Sequence, residues 1–481
     1  MSEQRPLPPG SLGLPVIGET LSFLRDPNFA QKRQQQYGSI FKSRIIGQPT
    51  VFMCGPEANE FLLATHADCF SWRGGWPDTF KELLGESLFL QEGEEHRRNR
   101  RLLMPAFHGK ALEGYFDTMV SLSQIYLKKW EAQRELTWFS ELKKFTFEVA
   151  SVLLIGTNVD KPSAPHIEQL SGWFTDLTNG LFTLPIRWGP TPYSKALQGR
   201  DRLLAYIEAE IAERRTLLAN AKSNTETTAK PPTDVLTLLL QTEDESGNQL
   251  SDEEIKVQTL LMLFAGHETT TSMLTTLMMA LAQHPDVLAK ARAEQQALKQ
   301  QALKQQALEQ QSSGQAATKH TAGQTAADLT LAQLQKMPYL DQVLKEVERQ
   351  YPPVGGGFRK VVKPFTFNGY HVPAGWLALY RIDAAHRDER CYSEPEVFAP
   401  DRFSPERAEQ KRYDYSLVGF GGGPRVCLGM AFAKLEMKIM AAQLLRRYQW
   451  QLAPAQNLTL NPIPTLRPQD GLKVSFKLLS R

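Results

Sequence analysis

The chain has few cysteines and no paired cysteine motif. Its 481 residues contain four cysteines, and no two of them are spaced as C-x-x-C. This argues against a disulfide framework, a zinc ribbon and an iron–sulfur cluster, and it favours the reduced thiols of a cytoplasmic protein. The four cysteines are Cys54, Cys69, Cys391 and Cys427.

The chain also lacks a strong charge imbalance and an apolar N-terminal run. With 55 Lys and Arg against 52 Asp and Glu, the net charge of +3 gives no global reason to expect nucleic acid as a partner. The first residues are rich in proline and glycine, so we predict no signal peptide and no membrane anchor. A hydrophobic content of 42% allows a large core, and we expect one domain over residues 1–481.

Helical periodicity dominates from Pro56 to Tyr351, whereas strand patterns are short. Residues 39–53 predict a hairpin around Gly47-Gln48-Pro49, and a second hairpin is predicted to turn at Asn368-Gly369. A last helix is predicted from Met430 to Tyr448. The pattern indicates a mainly α fold with small β-sheets.

The clearest helix runs from about residue 250 to 284. Ser251 and Glu254 have the spacing of a capping box, and Pro285 marks the end. At ~1.5 Å per residue such a helix would span roughly 50 Å. Polar residues His267 to Ser272 interrupt its apolar stretch, which favours a buried helix with a polar notch over a membrane span.

Low-complexity sequence fills about residues 295–328, where ALKQQ, ALKQQ and ALEQQ repeat in tandem. These pentads favour helix but are too polar to bury a face. We interpret the segment as a surface insertion without a catalytic role; a partner-binding helix is the alternative.

The strongest chemical signal is the Cys loop, Phe420–Gly429, with the sequence FGGGPRVCLG just before the last helix. Its glycines let the backbone approach a flat ligand, and a cysteine near a helix N-terminus is favoured as the thiolate that binds metal. Arg425 can pair with an acidic group of the same ligand. Taken alone, the loop has a less favoured alternative, a structural turn with a half-buried free thiol.

Charged residues elsewhere offer a scaffold cluster. Glu346 and Arg349 stand three apart on one helical face, and Arg402 could join them. Pairs of this kind at a surface contribute little. If the cluster is buried, however, losing one member should cost about 3–5 kcal/mol.

The polar notch offers an acid and an alcohol side by side, Glu268 and Thr269, which at a dry site can relay protons. Gly266 thins the helix and could open its hydrogen-bond ladder there. The alternative is a group of threonines that bond back to an ordinary helix.

Basic residues outside the Cys loop could bind further acidic groups. His96 and Arg100 lie one turn apart, and Arg359 is a similar candidate. Basic helices usually only face solvent.

Together and in this order, these motifs resemble the cytochrome P450 family over nearly the whole chain, from Pro8 to Phe476. The Cys loop matches the family's haem signature at its fixed positions. The resemblance implies the cytochrome P450 fold, with haem b (protoporphyrin IX iron) between the long central helix and the Cys loop with the final helix. It assigns these roles: Cys427 as iron ligand; Arg425, His96, Arg100 and Arg359 at the haem propionates; Phe420 and Gly429 beside the haem; Glu268 and Thr269 as the acid–alcohol pair; Glu346, Arg349 and Arg402 as a structural triad. The family usually has tryptophan where His96 stands, which leaves the geometry of that contact open.

Within the family, the PPVGGGFRKV, FNGYHVPAGW and Cys-loop segments are most similar to retinoic acid hydroxylases of animals and a prokaryotic sister group. This implies retinoic acid or another long apolar carboxylate as substrate. The expected pocket wall, whose members could also be ordinary core, consists of Trp76, Phe80, Phe174, Phe182, Ala265, Val354 and Gly355.

The implied reaction is C–H hydroxylation with O2 and two electrons, catalysed by a cytoplasmic monomer. No flavin or iron–sulfur module fits in the remaining sequence, so a separate ferredoxin or flavodoxin system is expected to dock near Lys434 and Lys438. The alternatives are a peroxygenase or isomerase on the same haem, and a non-catalytic haem sensor or retinoid carrier.

Overall fold

Helices make up most of the computed structural model, which describes residues 5–26, 28–157, 164–223, 233–312 and 329–479. The α-helices in these ranges are α1 Thr20–Arg25, α2 Phe29–Tyr37, α3 Pro56–Glu60, α4 Asp78–Leu84, α5 Gly93–Leu103, α6 Lys110–Gln133, α7 Trp138–Ala150, α8 Ala164–Gly180, α9 Pro192–Ser223, α10 Val235–Gln241, α11 Asp252–Gln283, α12 Pro285–Ser312, α13 Leu331–Leu334, α14 Pro338–Gln350, α15 Ile382–His386 and α16 Met430–Arg447. The prediction of a mainly α fold is confirmed.

The strands form small sheets beside the helices. They are β1 Ile40–Ile45, β2 Gln48–Cys54, β3 Phe70–Ser71, β4 Glu135–Thr137, β5 Gly356–Val361, β6 Phe365–Phe367, β7 Tyr370–Val372, β8 Leu377–Arg381, β9 Tyr448–Leu452, β10 Leu460–Asn461, β11 Arg467–Pro468 and β12 Lys473–Leu478. The largest sheet has the order β1-β2-β8-β5-β3, in which β2 and β8 are parallel. A second sheet has the order β4-β12-β9.

Helix α11 lies at the centre of the core and contacts α7, α9, α14 and α16. Its N-terminus has the predicted capping box, since Ser251 Oγ accepts the Glu254 N–H at 3.2 Å and Glu254 Oε2 accepts the Ser251 N–H at 2.8 Å. The helix is buried on nearly all sides, which explains its apolar sequence. No described helix combines the length and apolar character needed to cross a bilayer.

Both predicted hairpins are present. Asn368 and Gly369 join β6 to β7 with φ values of 47° and 82°, the left-handed pair that a tight two-residue turn requires. In the first hairpin the turn falls on Ile46 and Gly47, because Gln48 already pairs with Ile45 as the first residue of β2.

The low-complexity segment begins inside the core. Helix α12 continues through the pentads to Ser312, and Gln295 and Leu298 on it are buried. Arg446 Nε of α16 donates to Gln295 Oε1 at 3.0 Å. The packed core therefore extends a few residues past the predicted start of the insertion. Residues 313–328 of the predicted insertion lie outside the described ranges.

Candidate active site

The Cys loop is pressed against the chain segment after α3. Gly423 has a φ of 58°, and a Cβ there would collide with the Leu63 carbonyl oxygen. The loop closes on itself where the Cys427 N–H donates to the Phe420 carbonyl at 2.8 Å. Helix α16 begins three residues after the cysteine, as the sequence predicts. Close backbone contact explains why this loop needs glycine.

Cys427 differs from the other three cysteines. Cys54, Cys69 and Cys391 are buried, whereas Cys427 is accessible. Burial nevertheless raises the pKa of the Cys427 thiol, and a hydrogen bond with the Gly429 backbone and the charge of Arg100 act in the opposite direction. The thiol is therefore poorly solvated and yet accessible to a ligand. Around the Cβ position of Gly429 there is open space as well.

Four basic side chains form what we call the open cluster: His96 and Arg100 on α5, Arg359 on β5 and Arg425 in the Cys loop. Burial, followed by the charges of Arg425 and Arg100, lowers the pKa of His96 to about 4, so its imidazole is neutral at pH 7. Burial and the charge of Arg359 lower the pKa of Arg425 to about 10. These mutual effects show that the four side chains lie together.

The open cluster lacks a carboxylate of its own. Arg425 donates to the carbonyls of Leu88, at 3.4 Å, and Gln91. Arg359 Nη1 donates to the Phe358 carbonyl at 2.7 Å, while Arg359 Nη2 is buried without a hydrogen-bond partner among the described residues. A buried guanidinium with a free N–H fits a ligand carboxylate. The residues present therefore fit the carboxylate side chains of a haem.

Glu92, an acid whose charge acts on both Arg425 and Arg359, is already engaged elsewhere. Glu92 raises the pKa of Arg425, but its Oε1 accepts both the Ser71 hydroxyl and the Arg73 N–H at 3.0 Å. Its carboxylate therefore holds the loop before α4 and does not pair with the guanidinium.

The polar notch of α11 stays helical. Ala265 is exposed although it lies in the middle of a buried helix, so this face borders open space. Thr269 Oγ1 donates to the Ala265 carbonyl at 2.6 Å. The expectation that Gly266 opens the hydrogen-bond ladder is wrong here, since α11 is continuous and the threonine bonds back to it, as the alternative interpretation predicts.

Glu268 is buried and engages helix α7. Its Oε1 lies 2.9 Å from Lys143 Nζ and 3.9 Å from His267 Nε2. On its other side the His267 ring shares a hydrogen bond with Thr146 Oγ1 at 2.8 Å. Burial holds the pKa of His267 well below its usual value, so the ring is neutral. The acid and the alcohol thus have different partners, and the partly exposed Lys143 links the acid to the surface.

A second set of charges is completely buried; we call it the closed cluster: Glu346, Arg349, Arg402 and Glu409. Arg349 Nε lies 2.7 Å from Glu346 Oε2, and Arg402 Nε lies 3.1 Å from Glu346 Oε1. Arg402 Nη1 also pairs with Glu409 Oε2 at 2.7 Å. The predicted three-residue cluster thus exists in the geometry expected, with a fourth member that the sequence analysis missed.

Another residue missed by the sequence analysis supports this region. His386 is buried and its Nε2 accepts the Val418 N–H at 3.0 Å, while Nδ1 lies 3.1 Å from the Arg349 carbonyl. It connects the closed cluster to the chain that enters the Cys loop. Nothing in the polar sequence around His386 or Glu409 signals these contacts.

Three of the expected pocket residues form an aromatic group. The Trp76 ring stacks on Phe80 at 4.5 Å, and Phe80 also contacts Phe182 at 5.7 Å. Phe80 itself is only 2% exposed, so it is a core residue that supports the Trp76 ring, and the prediction that it lines the pocket is wrong. Phe89 and Phe264, which the sequence analysis did not select, complete this aromatic group at 4.8 Å from Trp76 and 5.9 Å from Phe80.

The prediction that Phe174 lines the pocket is wrong. This residue is 0% exposed and packs against Phe147 and His267, so it belongs to the core between α8 and α11 and does not line a cavity. Val354 and Gly355, in contrast, are exposed in the connection from α14 to β5.

Comparisons with known proteins point to one family. The profile of the family "Cytochrome P450" matches residues 8–476. "Putative cytochrome P450 120" of Synechocystis sp. is 40% identical over 477 residues, which cover 98% of this chain and 97% of the relative. Mouse "Cytochrome P450 26B1" is 32% identical and is covered to 86% of its length by 98% of this chain.

A solved structure is similar as well. "Retinoic acid bound cyanobacterial CYP120A1" superposes with a TM-score of 0.83 at 39% identity, over 99% of this chain and 100% of that one. Family profile, relatives and superposition cover nearly the same residues. The chain therefore belongs to the cytochrome P450 family and is a haem-dependent monooxygenase that uses O2.

Proposed function

We propose that this monooxygenase hydroxylates a long apolar carboxylate, retinoic acid or a related apocarotenoid. The observation that carries the proposal is the accessible Cys427 thiol inside the protein, with the open cluster beside it. The substrate class is supported by the similarity to a structure described as retinoic acid bound and by the aromatic group around Trp76. An apolar polyene suits such aromatic walls.

Cys427 would bind the haem iron, and the open cluster would hold the propionates. Arg359, Arg425 and Arg100 would contribute charge, whereas the neutral His96 would contribute a single hydrogen bond. Phe420 and Gly429 would lie beside the haem. When bound, a haem with a thiolate ligand supplies the O2 chemistry that no side chain can provide.

Proton delivery would fall to Glu268 and Thr269. Glu268 Oε1 lies 2.9 Å from Lys143 Nζ, and the Lys143 side chain is 28% exposed, so protons from solvent can reach the carboxylate along this side chain. Thr269 Oγ1 faces the side of α11 on which Ala265 is exposed. A turn of the Glu268 side chain away from Lys143 would carry the proton from the surface towards that hydroxyl.

The electron donor would be a separate ferredoxin or flavodoxin system, and the protein a cytoplasmic monomer. Of the two lysines expected at the docking surface, Lys434 lies over the Phe420 ring at 5.3 Å, next to the Cys loop. The prediction that Lys438 contributes to the docking surface is wrong, because its side chain is 12% exposed and its Nζ is 2.9 Å from Asp341. Its charge is already neutralised, so Lys434 is the residue to reverse in a docking test.

The test combines spectroscopy with turnover. In the reduced carbon monoxide complex we expect a thiolate-type Soret band from the parent protein and from Cys69→Ser, but not from Cys427→Ser. Titration with all-trans retinoic acid should shift the spin state, and a reconstituted electron supply should yield a hydroxylated product.

A Cys427→Ser variant that kept the parent spectrum would overturn the ligand assignment. A spin shift without product, at a normal reduction rate, would instead favour a retinoid carrier. Product formed equally well from peroxide alone would favour a peroxygenase.

A further inference from the structure

Trp72 contacts two members of the open cluster. The guanidinium carbon of Arg359 lies 3.3 Å from the centroid of the Trp72 ring, and that of Arg425 lies 5.0 Å away. Arg359 and Arg425 come from β5 and the Cys loop, which are far apart in sequence. Trp72 is thus a common aromatic partner of both guanidinium groups.

The loop that carries Trp72 is held on both sides of the ring. Ser71 pairs with Lys360 of β5, and the Glu92 carboxylate accepts the Ser71 hydroxyl and the Arg73 N–H. Gly75 packs so closely that a Cβ there would collide with the Phe358 carbonyl oxygen. The ring therefore has a fixed position relative to β5, the strand of Arg359.

The contact between Trp72 and Arg359 has an electrostatic basis. Burial lowers the pKa of Arg359, which means that its charge is poorly solvated. The face of an indole ring is the strongest aromatic partner of a cation, most of all where water is excluded. In addition, Trp72 Nε1 is buried without an acceptor among the described residues. Among the described residues, no carboxylate forms an ion pair with either guanidinium, since Glu92 acts on both only through its charge.

We propose that Trp72 is a positioning residue for haem binding. Its ring holds Arg359 and Arg425 in the orientation in which they meet the haem propionates, and its free N–H strengthens the same anion site. The inference rests on the proposed function of the Cys loop and open cluster, and it adds a residue from outside both.

The experiment measures haem loss from the holoenzyme to excess apomyoglobin. Trp72→Leu removes the aromatic face, and we expect haem loss about tenfold faster than in the parent. Trp72→Phe keeps an aromatic face and should rescue most of the effect. Trp450→Leu is the matched control: Trp450 also lies near an arginine, with the Arg292 guanidinium carbon 6.0 Å from its ring, but it belongs to β9. It should lower stability and change the rate of haem loss by less than about twofold.

A second readout separates positioning from a general structural role. Because Arg359 lies closest to the Trp72 ring, most of the effect of Trp72 should pass through Arg359, so adding Trp72→Leu to Arg359→Met should speed haem loss much less than it does in the parent. Fully additive effects of the two substitutions, or parent-like haem loss in Trp72→Leu, would overturn the inference. If the parent protein itself gave no thiolate-type spectrum, the proposed function would fail instead, so the two failures are distinguishable.

Discussion

The closed and open clusters use the same residue type in opposite ways. In the closed cluster, Glu346 and Glu409 supply carboxylates to Arg349 and Arg402, and all four side chains are fully buried. In the open cluster, three arginines and a neutral histidine lie together, and Glu92, whose charge acts on Arg425, is hydrogen-bonded elsewhere.

This difference in charge compensation indicates a separate role for each cluster. A buried cation needs an anionic partner. Where the chain itself provides a carboxylate, the ion pair is complete and the cluster is structural. Where the chain provides no carboxylate partner, the cations remain available to a ligand that carries its own carboxylates. The closed cluster thus holds the approach to the Cys loop in place, and the open cluster is suited to a haem.

The largest expected effect lies in the closed cluster. Glu346→Gln leaves the buried Arg349 guanidinium without a carboxylate partner among the described residues and leaves Arg402 paired with Glu409 alone. It should lower the free energy of unfolding by about 3–5 kcal/mol. Urea denaturation of the holoenzyme checks this. Glu396→Gln is the control, because Glu396 is exposed and lies 3.6 Å from Arg387; it should change stability by less than about 0.5 kcal/mol. Equal effects of the two would contradict the scaffold role.

Arg359→Met should have the opposite profile. Loss of one charge-assisted contact to the haem should speed haem loss about tenfold to a hundredfold. The haem-free protein should lose little stability, because no carboxylate is left stranded. Arg349→Met, by contrast, should destabilise the haem-free protein by about 3–5 kcal/mol. If both variants destabilised it equally, the distinction between the clusters would not hold.

Acid should affect the closed cluster through Glu409. Burial would raise the pKa of Glu409, but hydrogen bonds from Ser393, Arg407 and Arg402 outweigh it and lower the pKa from 4.5 to about 2. A lowered pKa stabilises the fold above pH 4.5, and this contribution is lost as the pH falls towards 2. Glu409→Gln should therefore have a lower free energy of unfolding than the parent at pH 7. In urea titrations, the difference between the two free energies should become smaller between pH 5 and pH 2. A difference that did not depend on pH would rule out the charge of Glu409 as its cause.

The smallest effect is expected from Glu92→Gln. The amide oxygen can still accept the hydrogen bonds of the loop before α4, while the competing negative charge near Arg425 disappears. Haem loss should slow, by no more than about threefold. Faster loss would mean that Glu92 orients the open cluster and does not compete with its ligand.

Much of this organisation could be predicted from short stretches of sequence. The Cys loop is contiguous, so its glycines and cysteine can be recognised together, and the capping box of α11 and the Asn368-Gly369 turn depend on neighbouring residues only. Glu346 and Arg349 share one helical turn, so their pairing follows from spacing alone. The predictions failed where spacing carries no information: Phe174 and Lys438 have the expected residue type, but their neighbours bury or neutralise them.

The sequence by itself determined the local pieces: a cysteine in a glycine-rich loop before the last helix, a long central helix with a polar notch, and charges one turn apart. Only the tertiary structure decided which of those charges are compensated. Arg402 reaches Glu346, and Trp72 reaches Arg359 and Arg425, across long stretches of chain. Electrostatic pairing depends on the distance between the charges in space and on the exclusion of water, and neither of these follows from the order of the residues in the chain.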